Sequence, residues 1–98
     1  MNMQAMMQQA QKLQRDIAKA KQEIEQKSFK SKKSFIEIEA NGKKQITSIK
    51  IDKDIDLNDE RETLEDLIML TTNELINQIE KATEEKLGKF GPGLNGLM

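Results

Sequence analysis

The chain has 98 residues, with 16 Lys+Arg against 17 Asp+Glu and a formal net charge of -1, so it has room for one domain and is neither a polycation nor an acidic tail. It has no Cys and no His, which excludes a disulfide framework, a thiolate zinc site, a cysteine nucleophile and an imidazole base. With no Trp, no Tyr and three Phe there is little to stack single-stranded bases on, and no run approaches the roughly 18 apolar residues of a membrane span.

No GxxxxGK[ST] or GxGxxG phosphate cradle is present. The expectation is a cytoplasmic, unprocessed, non-enzymatic protein with no cofactor, no metal, no membrane association and no small-molecule substrate.

Residues 2–26 contain neither Gly nor Pro, and Met3, Met6, Ala10, Leu13, Ile17, Ala20 and Ile24 recur at alternating gaps of 3 and 4. That spacing is a heptad seam and predicts a long amphipathic helix over about 2–26. Such a helix is about 37 Å long, more than a compact domain of this size spans, so it should project beyond its own domain. Its apolar stripe then needs a second helix, from this chain or from another copy, and a homodimer is expected.

From Lys27 to Asp52 the pattern turns to alternation. Ile36, Ile38 and Ala40 alternate with Glu37 and Glu39, then comes Asn41-Gly42, then Thr47, Ile49 and Ile51. Asn-Gly between alternating runs predicts a hairpin through a type I′ turn, with positive φ at both central residues. Ile46 has the wrong parity with Ile49, so a bulge or a longer loop is open. Phe29 and Phe35 flank a lysine-rich stretch, and three antiparallel strands over about 28–52 are favoured.

Asn58 or Asp59 is expected to cap a second helix over about 59–87, with Glu60 and Glu62 in its first turn. Leu64, Leu67, Ile68, Thr71, Leu75, Ile79 and Ala82 mark its buried face, and Gly88 is the expected stop. Residues 1–88 thus read as one α+β domain, with 89–98 as a flexible Gly-rich C-terminal tail.

Charge is segregated along this order. Residues 1–33 carry eight basic and three acidic side chains, while residues 52–85 carry three basic and twelve acidic ones. On the first helix Lys12, Arg15 and Lys19 form one basic stripe opposite the apolar seam, the charge pattern that phosphates require. The alternative is a solvated face, because Lys12–Asp16, Lys19–Glu23 and Lys21–Glu25 are spaced as ion pairs. Lys30, Lys32 and Lys33 form a second cluster with no following acid before Glu37; these serve either phosphate binding or protection of a sheet edge. Asp52, Asp54 and Asp56 match the start of a calcium loop, but Leu57 stands where that loop needs Gly, and Thr63 where it needs Glu.

The opening NMQAMMQQAQKLQRDI (Asn2 to Ile17), the turn ANG (Ala40 to Gly42), SIKID (Ser48 to Asp52), LEDLI (Leu64 to Ile68) with Asn73-Glu74 behind it, and LGKF followed by GLN together resemble the YbaB/EbfC family of nucleoid-associated proteins. The resemblance covers essentially the whole chain. It implies a long N-terminal helix, a three-stranded antiparallel sheet and a second long helix, assembled as a tweezer-like homodimer that binds double-stranded DNA in the nucleoid of the bacterial cytoplasm. Where the family has a glycine-rich first turn, this chain has Ser31 to Ser34. Charge placement picks out Lys12, Arg15, Lys19, Lys30, Lys32 and Lys33 as DNA-binding residues, and Phe35, Ile36, Ile38, Leu64, Leu67 and Ile68 are the expected dimer interface. The function expected is phosphate-backbone binding with weak sequence preference. The alternative is a protein-interaction adaptor or small chaperone-like clamp using the soft methionines Met1, Met3, Met6 and Met7.

Overall fold

The structure, a computed structural model, describes residues 2–91. Its elements run α1 (Met3–Gln26), β1 (Ser28–Lys33), β2 (Ile36–Asn41), β3 (Ile46–Ile51) and α2 (Arg61–Gly88). Residues 92–98, most of the expected tail, lie outside the described residues, whereas Lys89 to Gly91 close α2. There Phe90 N donates to the Leu87 carbonyl and Gly91 N to that of Gly88. Gly88 therefore belongs to the last helical turn, and it is Gly91 that takes a positive φ, of 126°.

Asn2 starts α1, its Oδ1 accepting from Gln4 N at 3.0 Å and so satisfying one of the free donors of the first turn. The heptad pattern does not bury α1 along its length. Only Ala20 and Ile24 are buried, Ile17 is half-buried, and Met3, Met6 and Leu13 remain exposed at 74%, 48% and 46%. The stretch from Met3 to Asp16, about 21 Å of helix, projects from the body. The described chain spans 71 Å with a radius of gyration of 19.2 Å, against about 13 Å for a compact domain of this length.

The three strands form one antiparallel sheet in the order β1-β2-β3. β2 is central and alternates most cleanly, with Ile36, Ile38 and Ala40 buried against α2 while Glu37 and Glu39 face outward. Phe29, Ile36, Ile38, Ala40, Leu75 and Ile79 make the core, with Ile51, Leu64, Leu67 and Ala82 packed around it. α2 lies across β1 and β2 but does not reach β3. On α2 the buried face is Thr71, Leu75, Ile79, Thr83 and Leu87. Ile68, expected inside, is 39% exposed, because the face of α2 that meets the sheet drifts past it.

The β2–β3 connection differs from the expected two-residue turn. Lys44 N donates to the Asn41 carbonyl and Asn41 N to that of Gln45, each at 3.0 Å. The Asn41 side-chain oxygen accepts from Lys43 N and Gln45 N, and the positive φ, 64°, belongs to Lys44. Gly42 is glycine for another reason: a Cβ there would stand 1.8 Å from the Ile24 carbonyl oxygen, so only a bare backbone lets the turn seat on α1. A register shift at Glu39/Ala40 pairs Ala40 with Ile46 and Ile38 with Ile49. The extra residue, Thr47, puts Ile46 and Ile49 on the same face.

α2 begins at Arg61, two residues later than expected. Asp59 N and Glu60 N both donate to the Asp56 carbonyl, and Asp56 Oδ1 accepts from Asn58 N. The acidic run is thereby wound into a turn, and the N-cap is Glu60 without a side-chain bond.

Two substitutions test this packing. The Thr71 hydroxyl is buried with no hydrogen-bond partner among the described residues, so Thr71→Val should raise stability by roughly 1 kcal/mol in thermal or urea melts. An unchanged or lowered midpoint would show that the hydroxyl is satisfied. Gly42→Ala should lower stability by about 1–3 kcal/mol, since backbone must give way; wild-type stability would mean that the turn does not press on α1.

Candidate nucleic-acid interface

The basic stripe of α1 lies on the projecting arm and its base. Lys12, Arg15 and Lys19 are exposed, and among the described residues none of them forms an ion pair. The pairs allowed by spacing, Lys12–Asp16, Lys19–Glu23 and Lys21–Glu25, do not form; Glu23 turns to α2 and meets Lys86 Nζ at 2.6 Å. Its carboxyl is held below the usual glutamate range first by the hydrogen bond and charge of Lys86, with smaller help from Lys19 and Lys89 and against the cost of desolvation.

Lys86 and Lys89 are thus functional candidates that sequence reading missed. With Asp16, Lys19, Ala20, Glu23 and Phe90 they line a groove between α1 and the end of α2. Lys89 Nζ sits 5.3 Å from the centre of the Phe90 ring, near enough for a cation–π contact. The signal is two lysines flanking Leu87 and Gly88, but Lys86 reads as the last turn of the second helix and Lys89 as the start of the tail.

The second basic cluster is not free as a unit. Lys30 and Lys32 point to the outer face of the sheet opposite Glu39 and Glu37. Lys30 Nζ lies 3.4 Å from Glu39 and 3.9 Å from Glu37, because antiparallel pairing brings acids of the next strand directly across. Lys33 meets Glu74 of α2 at 2.6 Å. That hydrogen bond leads the causes that hold the Glu74 carboxyl low, partly opposed by desolvation and helped by Ser31. Lys32 alone of the three has no ion-pair partner among the described residues. From Glu74 to Lys86 is about 18 Å along α2, so the sheet lysines are set apart from the α1–α2 groove.

The six residues expected at a dimer interface fall into two groups. Phe35, Ile36 and Ile38 are buried within the chain's own fold, and Ile36 and Ile38, fully enclosed, have no surface left to offer a partner. Leu64 and Leu67 are half-buried at the edge of the core, and Ile68 is exposed. Exposed beside the uncovered strand are Ile46 and Ile49, the latter 53% accessible although it faces the core side opposite Ile38. Sequence alternation marked Ile49 as inward but could not show that α2 stops short of β3.

The acidic stretch from Asp52 to Asp66 lies at the far end of α2 from Lys86. No helix among the described residues is long and apolar enough to cross a membrane.

Both tethering carboxylates titrate lower in the folded chain than in the unfolded one, so their stabilisation is present above the ordinary glutamate value of about 4.3 and is lost as the pH falls through the lowered folded values. A Glu23→Gln/Glu74→Gln double variant should therefore lose less stability than the wild type between about pH 5 and pH 3 in thermal melts. Equal losses would mean that neither ion pair holds in solution.

Comparison with known proteins finds a match to the YbaB/EbfC DNA-binding family over residues 1–94. A protein of Lactococcus lactis subsp. cremoris named "Nucleoid-associated protein" is 42% identical over 96 residues, covering 96% of this chain and 97% of that protein. A protein of the same name from Agathobacter rectalis is 37% identical over 97 residues, covering 97% and 86%. One from Oceanobacillus iheyensis, "Nucleoid-associated protein OB0030", is 33% identical over 96 residues, covering 96% and 92%.

Proposed function

Because the chain belongs to the YbaB/EbfC DNA-binding family, we propose that it is a non-enzymatic, nucleoid-associated protein that grips double-stranded DNA as a homodimer. The observation that carries this reading is the α1 arm, a helix standing clear of its domain with Lys12, Arg15 and Lys19 exposed, unpaired and adjoining Lys86 and Lys89. Unpaired cations in a row release the counterions condensed on DNA phosphates without first breaking an ion pair in the protein. Lys32 adds a separate contact, and Lys30 and Lys33 join only by exchanging Glu39 and Glu74 for phosphate. Sequence preference is weak, since most contacts reach the backbone.

Dimerisation is assigned to the uncovered edge of the sheet. Ile46 and Ile49 on β3 and Ile68 on α2 are exposed, and Leu64 and Leu67 on α2 are half-buried, apolar area that a monomer would leave wet. The opposite edge, β1, carries Lys30 and Lys32, which discourage strand pairing; β3 carries only Lys50. Two bodies joined there would hold their α1 arms as the prongs of a tweezer. Exposed Met3, Met6 and Met7 favour a second reading, docking of a protein client on the arm; an adaptor of that kind would not bind duplex in a salt-dependent way.

Fluorescence anisotropy with a random-sequence duplex at two salt concentrations tests the first reading. Affinity should fall steeply with salt, with the slope reduced by roughly 0.9 for each phosphate contact removed. The exposed triple variant Lys12→Glu/Arg15→Glu/Lys19→Glu should bind at least about tenfold more weakly at low salt while melting like the wild type. Binding that ignores salt, or a triple variant that binds normally, contradicts the assignment.

A further inference from the structure

The tip of α1 has a composition the phosphate contacts do not use. Charged residues are 34% of the chain, yet between Asn2 and Gln11 there is none. In their place stand Gln4, Gln8, Gln9 and Gln11, all exposed on the projecting helix. At 100° per residue, Gln4, Gln8 and Gln11 fall within one arc of about 100° that also holds Lys12, Arg15 and Lys19. Met3, Met6, Ala10 and Leu13 occupy the opposite side. One face therefore runs from cations near the body to amides at the tip.

Building on the DNA-binding reading above, we infer that this tip enters the major groove and that Gln4, Gln8 and Gln11 read adenine there, while Lys12, Arg15 and Lys19 hold the flanking phosphates. A single helix, 10–12 Å across with its side chains, fits a groove about 12 Å wide. The glutamine amide both accepts and donates, so its Oε1 takes the adenine N6–H while its Nε2 donates to adenine N7. Gln4 to Gln11 rises about 10 Å, roughly three base-pair steps. A carboxylate on this face would repel the duplex, and a lysine would be drawn to the phosphates rather than to adenine; amides do neither. The face continues the unpaired basic stripe without a break, which selects duplex over a protein as the occupant. The contribution is a modest adenine preference laid over a mainly electrostatic affinity.

The test is anisotropy of the full chain on two duplexes of identical mixed sequence, one with ordinary adenine and one with 7-deazaadenine, which replaces the N7 acceptor by C–H and leaves the minor groove and backbone charge alone. The wild type should bind the deaza duplex about fivefold or more weakly. A Gln4→Ala/Gln8→Ala/Gln11→Ala variant, whose alanines favour the helix, should bind both duplexes alike, with the wild-type salt slope. Equal wild-type binding to the two duplexes, with salt dependence kept, overturns base reading and leaves the phosphate reading standing. So does a triple variant that still tells them apart. Absence of binding to either duplex overturns both.

Discussion

Two buried side chains, Ala20 and Ile24, and the carbonyl of Ile24 against the bare backbone of Gly42 join α1 to the rest of the protein. Everything functional about the molecule follows from how short that attachment is. Had α2 continued along α1, the heptad seam would have closed into a helical hairpin and the basic stripe would be one more solvated surface. Instead α2 is committed to the sheet through Thr71, Leu75 and Ile79 and meets α1 only near its own end, where Lys86 takes Glu23. The arm is left free, and a free amphipathic helix with cations on one face is a tool for binding a long polyanion.

The same attachment sorts the charge. Lysines of α1 and of the α2 terminus gather at one end of α2, while the acids from Asp52 to Asp66 gather at the other. A near-zero net charge thus hides a polarised molecule, and under the proposed function its field would orient an approaching duplex toward the arm and away from the acidic loop. The ion pairs Lys33–Glu74 and Lys44–Glu80 neutralise cations along the body, which sharpens the contrast with the unpaired row on α1.

The sequence made the elements legible because each carries its own period: gaps of 3 and 4 over α1, alternation on β2, and a late acidic start to α2. What periodicity cannot say is whether a face has a partner. Met3, Met6 and Leu13 obey the seam and are exposed, because no other element of the described fold packs on that stretch of α1. Gly42 was legible as a turn residue for the wrong reason: its backbone is demanded by Ile24, 18 positions away in sequence, and the left-handed residue is Lys44. Lys30 and Lys33 looked unopposed because Glu39 and Glu74 become neighbours only after the strands pair and α2 lies down. Lys89 reads as part of the Gly-rich tail and Lys86 as the last turn of α2, because their closeness to α1 appears only in the folded chain. In each case a long-range contact decided what a local pattern left open.

Hydrogen–deuterium exchange on the full chain, with and without a random-sequence duplex, tests the central claim most directly. Backbone amides of the unattached part of α1, residues 3–17, have little tertiary packing to protect them and should exchange fast in the free protein. On adding duplex, exchange should slow across 3–19 and 86–89 and stay unchanged across 52–66. Protection appearing at 52–66, or an α1 arm that exchanges as fast with DNA as without it, would contradict the account.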